Sequence, residues 1–386
     1  MIKEILQPDM LSIQKQNTYY NPEKLSTPYL VVDKTIITDN FFKIQNFLDD
    51  VKVYYAVKAN SHPTILEHLH TLGSGFEIAS VQELDDTIGI GVSPDKIISS
   101  NPLKTPDFIK AAYGVGVRYF AFDSRMEVDK LSAWAPGSKG YLRIAVDNSK
   151  AEWPLSKKFG AIPSEALNLL EYAGQSKIIP YGITFHVGSQ CLDAISWELA
   201  INQVYEIFQM AKKKNIILKM INIGGGLPIQ YLKRIPPLQD IGRTISNSLE
   251  KKFTKEDLEI GIEPGRSIVG DSGNITSRII LISDRGSEKW IYLDIGVFNG
   301  LMETIEGIKY KILSDRHLSV NINEVKKIGY TIAGPSCDSV DTMYKNYLLP
   351  EDLNLGDILY FANTAAYTTS YASNFNGFPV PNIYFI

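Results

Sequence analysis

The apolar, β-branched and aromatic run "VYYAVKANSH", residues 53–62, ends on a lysine. Lysine is almost never fully buried, so Lys58 taken singly reads as the start of a surface loop. A lysine whose ammonium is drawn into a pocket can instead lose its proton and attack a carbonyl carbon, the chemistry of a Schiff base. Other polar residues stand in comparable places. Asn60 lies just beyond Lys58, Glu77 in "GFEIAS", Asn101 after "KIISS", Arg143 in "LRIAV", His186 and Ser189 in "FHVGSQ", Gly224, Gly225 and Gly226 in "INIGGGLP", and Glu263, Gly265 and Arg266 in "EPGR". Each alone has a plain structural reading: a core histidine, turn glycines, an ion pair between Glu77 and Arg143. Together they ask for a ligand, because ionisable groups gathered at one place repel or lose solvation unless something binds among them.

The elements that would gather them are legible in the hydrophobic pattern. Short apolar runs alternate with longer segments of helical periodicity between residues 50 and 265. Eight such runs occur: Val53–Val57, Phe76–Ala79, Lys96–Ser99, Tyr119–Phe122, Tyr141–Val146, Gly182–His186, Lys219–Ile223 and Glu259–Ile262. Eight βα units close a (β/α)8 barrel, whose active site lies at the C-terminal strand ends, where these polar residues fall. After Arg266 the pattern becomes all-β, with "SRIILIS", "KWIYLDIG", "IGYTIAG", "DILYFAN" and "PNIYFI" separated by Gly, Asp and Asn turns. The expected organisation is a barrel over 27–267, and a β-sandwich or β-barrel domain from 1–26 plus 268–386. The strand-like "PYLVVD" is able to join either part.

Composition narrows the ligand. The chain has 386 residues, 44% hydrophobic, with a net charge of -4. Nucleic-acid binding requires a basic surface, so no nucleic-acid partner is expected. No run of about 18 apolar residues is present to span a membrane, and the N-terminus lacks the apolar core of a signal peptide, so a cytoplasmic location is expected. Cys191 and Cys337 have no CxxC or CxxH spacing, so neither a metal site nor a disulfide framework is indicated. Triple glycine after the seventh strand, with Arg266 and Ser189, suits a phosphate group, which barrels of this kind bind at that end. Lys58 suits an aldehyde, and Glu263 suits a ring nitrogen that must stay protonated to act as an electron sink. Pyridoxal 5'-phosphate combines all three, and His186 is placed to stack on its ring.

At this point the chain resembles the fold-type III, pyridoxal-phosphate-dependent basic amino acid decarboxylases, the group of ornithine, lysine and diaminopimelate decarboxylases, whose barrel is alanine racemase-like. The resemblance runs from about Ser26 onward through ten ordered motifs: "YYAVKAN", "GFEIAS", "IISSNPLK", "LRIAV" with "LSKKFG", "FHVGSQ", "INIGGGLP", "EPGR", "GPSCDSVD" and "AAYTTSYASNFNGF". It implies that Lys58 bonds to the cofactor aldehyde, that His186 stacks on the ring, and that Glu263 partners the pyridinium. Glu77 and Arg143 line the same mouth. Phosphate contacts carry over to Ser189, the Gly224–Gly226 loop, Gly265, Arg266 and Tyr367. A homodimer with shared active sites is implied too, Cys337 reaching the neighbouring subunit to protonate Cα and Asp338 binding the distal amine of the amino acid. The chemistry is sound, since a thiol of ordinary pKa about 8.5 is protonated near neutrality and a carboxylate recognises an ammonium by a charge-assisted hydrogen bond.

Aspartate after this cysteine is the pattern of ornithine and lysine enzymes, whereas diaminopimelate enzymes tend to carry glutamate. L-Ornithine is therefore the expected substrate, with L-lysine next; "FNGLMET" places Glu303 or Thr304 near the distal amine. Another diamino acid or a larger amine-bearing acid remains open, because one methylene is worth only about 1–3 kcal/mol of discrimination. A racemase shares the barrel but gives no role to "CDSVD", and a non-catalytic homologue is expected to lose the lysine or the cofactor contacts. Two departures from the family pattern occur: Asn222 stands where aspartate is common and Ala365 where glycine is usual. Neither position is expected to carry the chemistry.

Overall fold

The computed structural model describes residues 8–47, 50–153, 158–253, 258–320 and 325–386. Residues 1–7, part of the segment read for a leader, and residues 155–157 of the "LSKKFG" motif lie outside the described residues. The chain divides into two compact units. One takes in the described residues up to Ile37, Gln230–Arg234 and Val269–Ile386, and the other Thr38–Ile229 and Ile235–Ile268.

The second unit is a closed barrel of eight parallel strands: Val51–Ala56, Gly75–Glu77, Ile97–Ser99, Tyr119–Phe122, Lys139–Arg143, Ile179–Thr184, Met220–Asn222 and Glu259–Ile262. Each pairs with the next in chain order, and the last closes on the first through Ile260–Val51 and Ile262–Val53. These strands read as apolar runs rather than alternating ones because both faces are covered. Inside, Tyr54, Ile98, Tyr119, Ala121, Tyr141, Tyr181 and Met220 form one buried cluster. Some of the helices between strands begin on side-chain caps. Thr105 Oγ1 accepts from Phe108 N with Pro106 in the first turn, Ser80 Oγ accepts from Glu83 N, and Gly116 closes the helix Pro106–Val115 at φ +112°. Such caps satisfy end groups that the helix itself cannot.

The first unit is built on a mixed sheet of eight strands. The order is Ile312–Ser314, Ile358–Phe361, Gly273–Arg285, Glu288–Leu293, Lys327–Ala333 and Thr342–Pro350, with Tyr29–Val32 and Asn382–Phe385 paired off this path. Gly273–Arg285 changes partners along its length. Its first half pairs with Ile358–Phe361 and Tyr29–Val32, and its second half, past an irregularity between Ile279 and Leu281, with Glu288–Leu293.

The boundary expected at residue 27 requires correction. Tyr29–Val32 pairs antiparallel with Gly273–Thr276 and parallel with Asn382–Phe385, so "PYLVVD" belongs to the β unit and the barrel unit begins at Thr38. The strand is buried along its whole length, so its apolar pattern suits either environment; only the pairing partners separate them.

Candidate active site

The barrel carries its polar residues where the strand ends expose them. Val51–Ala56 gives way to a short 3-10 turn, Val57–Ala59, and Lys58 sits on that turn with its side chain 55% exposed. Its ammonium stands 3.8 Å from Oε2 of the buried Glu77. Glu77 Oε1 accepts from the backbone N–H of Ser100 at 3.3 Å. Ser100 Oγ in turn donates to Oε1 of Glu263 and lies 2.7 Å from the Tyr141 hydroxyl. Asn222 Nδ2 donates to that same Oε1, while Asn222 Oδ1 accepts from Gly224 N at 3.0 Å. No hydrogen bond from a described residue reaches Glu263 Oε2. Burial and then the neighbouring Glu77 carboxylate push the Glu263 pKa up to about 7, against the pull of Ser100, Lys58 and Asn222. Ser100 is thus a polar hub between two carboxylates.

Around this hub, His186 follows the strand Ile179–Thr184, and its Nδ1 accepts from Gly188 N at 3.0 Å. Burial holds the imidazole well below its ordinary pKa, and the charges of Arg143 and Lys58 push the same way, so the ring is neutral. The glycine loop packs directly on it. A Cβ at Gly225 would stand 3.1 Å from His186 Nε2 and 2.7 Å from Glu263 O, while Gly224, at φ +65°, would place one 2.1 Å from Phe185 O. No side chain fits between this loop and the ring. Gly226 completes the loop at φ +109°. Arg266 Nη2 donates to Ser189 Oγ at 3.3 Å, directly after Gly265, whose carbonyl accepts from Ile268 N at 3.0 Å. The Arg143 guanidinium lies over the Phe159 ring at 5.5 Å, and burial lowers its pKa against the opposing carboxylates of Glu263 and Glu77.

The remaining expected residues belong to the β unit. Cys337 and Asp338 are exposed on the loop that follows Lys327–Ala333. Cys337 donates from N and from Sγ to Asn376 Oδ1, both at 3.4 Å, and Asp338 Oδ1 accepts from Val340 N at 2.9 Å. The loop is pinned by the buried Asp341, whose carboxylate accepts from Val297 N at 2.7 Å and Ser336 N at 2.9 Å. A Cβ at Gly296 or Gly334 would lie 2.1 or 2.3 Å from Asp341 Oδ1, so this carboxylate fills the space both glycines leave. Tyr367 adopts φ +54° and is half-buried. Glu303 is buried and accepts from the Tyr310 hydroxyl at 3.2 Å, and Thr304 donates to Leu301 O at 2.6 Å. Thr304 also lines a cavity of about 620 Å³ whose wall carries Lys309, Lys327 and Lys345.

Ser100, Tyr141 and Glu83 escape a reading of the sequence, although Ser80-x-x-Glu83 has capping-box spacing. Glu83 Oε2 accepts from Ala79 N at 2.6 Å. Burial raises its pKa to about 7, with Glu77 adding and the Ala79 bond and Lys58 opposing. Asn222, expected to stand apart from the chemistry, instead donates from Nδ2 to Glu263.

These residues fit pyridoxal 5'-phosphate. An amine is available for the aldehyde, a buried carboxylate keeps one oxygen open for a ring N–H, and a glycine loop lies flush with a neutral imidazole. Among the described residues no cluster able to hold a metal ion occurs. An eight-stranded parallel barrel with this mouth defines a pyridoxal-phosphate enzyme of the barrel type. Residues 35–270 match the family described as pyridoxal-dependent decarboxylase, pyridoxal binding domain. The lysine/ornithine decarboxylase of Selenomonas ruminantium is 34% identical over 360 residues, covering 92% of this chain and 88% of that protein. The ornithine decarboxylase of Rattus norvegicus is 34% identical, covering 88% and 76%. The crystal structure of the Selenomonas ruminantium lysine decarboxylase in complex with PLP and cadaverine superposes with a TM-score of 0.87 at 31% identity, covering 97% of this chain and 93% of that one. The chain belongs to the family of pyridoxal-phosphate-dependent basic amino acid decarboxylases, and pyridoxal 5'-phosphate is its cofactor.

Proposed function

We propose that this enzyme decarboxylates L-ornithine to putrescine, with L-lysine to cadaverine as its second reaction, supplying diamines for polyamine synthesis. The observation that carries the reading is the linked set Lys58, Glu77, Ser100 and Glu263 in one barrel mouth. Aspartate at 338 supports the choice of ornithine and lysine over diaminopimelate.

When bound, pyridoxal 5'-phosphate supplies the electron sink that lets an amino acid lose CO2. Lys58 provides the amine that holds it. Glu263 would accept the ring N–H, and the neutral His186 would offer a flat face without a competing charge. Ser189, Gly224, Gly225, Gly226, Gly265, Arg266 and Tyr367 would hold the phosphate, and Arg143 and Glu77 would complete the cofactor site. The Cys337 thiol delivers the proton that replaces the carboxylate on Cα. Asp338 would hold the distal ammonium, with Glu303 or Thr304 near the same amine. Cys337 and Asp338 are exposed on the β unit, which supports a homodimer in which they serve the partner's site. Two free thiols accord with a reducing compartment such as the cytoplasm.

Lys58→Ala is expected to abolish both the cofactor's visible absorbance and CO2 release; turnover retained in that variant refutes the assignment. Release of CO2 compared across ornithine, lysine, arginine, diaminopimelate and 2,4-diaminobutyrate fixes the substrate. Ornithine is expected to give the largest kcat/KM.

A further inference from the structure

Glu263 has two carboxylate oxygens and they are treated differently. Oε1 receives both the Ser100 hydroxyl and the Asn222 amide, while no described residue donates to Oε2. A serine hydroxyl carries one proton. Spending it on Glu263 leaves only lone pairs for the Tyr141 oxygen 2.7 Å away, so Tyr141 must donate to Ser100. Burial first, then the Glu263 charge, holds the phenol well above its ordinary pKa, so Tyr141 keeps its proton and the direction is fixed. The result is a one-way chain, Tyr141 O–H to Ser100 O–H to Glu263 Oε1. Chains of this kind polarise one another and strengthen the terminal bond. The Ser100 backbone N–H is committed separately to Glu77, which holds the residue in place between the two acids.

We propose that Ser100 is a positioning residue for the reaction: backed by Tyr141 and flanked by Asn222, it saturates one oxygen of Glu263 with neutral donors, favours the carboxylate anion, and leaves the other oxygen for the cofactor's ring N–H. The inference rests on the reading of Glu263 given above. Neutral donors suit this task better than a cation. A lysine or arginine in their place would neutralise Glu263 and compete with the ring nitrogen, whereas a hydroxyl and an amide favour the anion without cancelling it. The charged and titratable groups that face Glu263 are Glu77, Lys58, Arg143, Tyr54 and Tyr141. Of these Glu77 disfavours the anion and Lys58 and Arg143 favour it. Ser100 acts alongside them through a bond that can be removed without altering net charge.

The test measures pyridoxal 5'-phosphate affinity from pH 6 to 8.5 for the wild type, Ser100→Ala, Ser100→Thr and Tyr141→Phe, with kcat and KM recorded in parallel. Titration of the free cofactor is common to all four and cancels in the comparison. Ser100→Ala is expected to weaken affinity about tenfold near neutrality, the factor that about 1.4 kcal/mol represents, and to move the acid limb of the affinity profile to higher pH by about one unit. Ser100→Thr is expected to restore both, and Tyr141→Phe to move the limb in the same direction by less. A Ser100→Ala profile that coincides with the wild type overturns the proposal, as does a Ser100→Thr profile that follows Ser100→Ala. If Ser100→Ala does not fold, an unmoved limb in Tyr141→Phe overturns it equally. Failure of the wild type to bind the cofactor overturns instead the reading on which the proposal stands.

Discussion

The backbone N–H of Gly188 donates to Nδ1 of His186 at 3.0 Å, which places the imidazole proton on Nε2 and fixes the ring in one neutral tautomer. Burial, with Arg143 and Lys58 near by, opposes any second proton. A histidine whose folded pKa is depressed leaves the unfolded chain binding more protons, so its contribution to stability rises with pH up to the unfolded value of about 6.5 and is lost as pH falls below it. The ring resonances of His186 are expected to show no titration between pH 6 and 8 by NMR. His186→Ala is expected to weaken cofactor binding about tenfold, and His186→Phe, which keeps a flat neutral face worth about 0.5–1.5 kcal/mol, by less. Equal losses in the two variants would remove stacking as the role.

Glu263 behaves in the opposite sense. Its folded pKa, pushed up to about 7 by burial and Glu77, exceeds the unfolded value, so the folded apoprotein binds the extra proton. Stability then falls as pH rises from about 4.5 to 7, by roughly 3 kcal/mol for a shift of this size at about 1.4 kcal/mol per unit. Glu263→Gln is expected to flatten that part of the curve and raise the melting temperature of the apoprotein at pH 7.5, while lowering turnover by at least a hundredfold. Melting curves of the two apoproteins across this range check the sign.

Lys104 is fully buried; its ammonium donates to Asn101 O at 2.8 Å and Ala121 O at 2.6 Å and forms an ion pair with Glu127 Oε1 at 2.9 Å. It ties the segment that begins at Ser100 to the strand Tyr119–Phe122 and to the helix Arg125–Trp134. Removing Lys104 leaves Glu127 with Lys130 as its one partner cation and takes the donor from two buried carbonyls. Lys104→Met is expected to cost about 3 kcal/mol in urea denaturation. Lys130→Met should cost less than half as much, because Lys130 is partly solvated and leaves the Lys104–Glu127 pair intact.

Asp341 organises the loop that carries Cys337. Asp341→Ala removes two charge-assisted bonds to backbone N–H groups, each worth about 1.5–3 kcal/mol, from a segment at the surface of its unit. The variant is expected to fold, to hold cofactor with wild-type affinity, and to lose at least tenfold in kcat with KM little changed. Alkylation of Cys337 by iodoacetamide, followed by mass spectrometry, should change in rate. An unchanged rate together with an unchanged kcat would leave Asp341 with a packing role alone.

How far the sequence reached depends on which physical signal each element leaves. All eight barrel strands left apolar runs, because strands covered on both faces cannot alternate, and their polar ends followed from the fold. Ile312–Ser314 is three residues long, too short for a pattern, and Thr342–Pro350 is interrupted by Asn346 at φ +53° and by register shifts against its partner. The helix Pro8–Tyr19 packs little more than Met10 and Ile13 against Leu313, Leu318, Ile358 and Tyr360, so its amphipathic stripe is thin. Ser100 was invisible for a different reason. A serine beside another serine looks like a loop, and its value comes from Glu77, Tyr141 and Glu263, which lie 23, 41 and 163 residues away in the chain.

The way Asp341 occupies the hollows at Gly296 and Gly334 binds three distant codons into one. A methyl group at either glycine collides with the carboxylate, and a shorter residue at 341 opens two voids and frees two amides at once. A change at any one of these positions disturbs the other two, so descendants that retune the cysteine loop are expected to change all three together or none. Directed-evolution libraries aimed at substrate preference should therefore randomise them as a block.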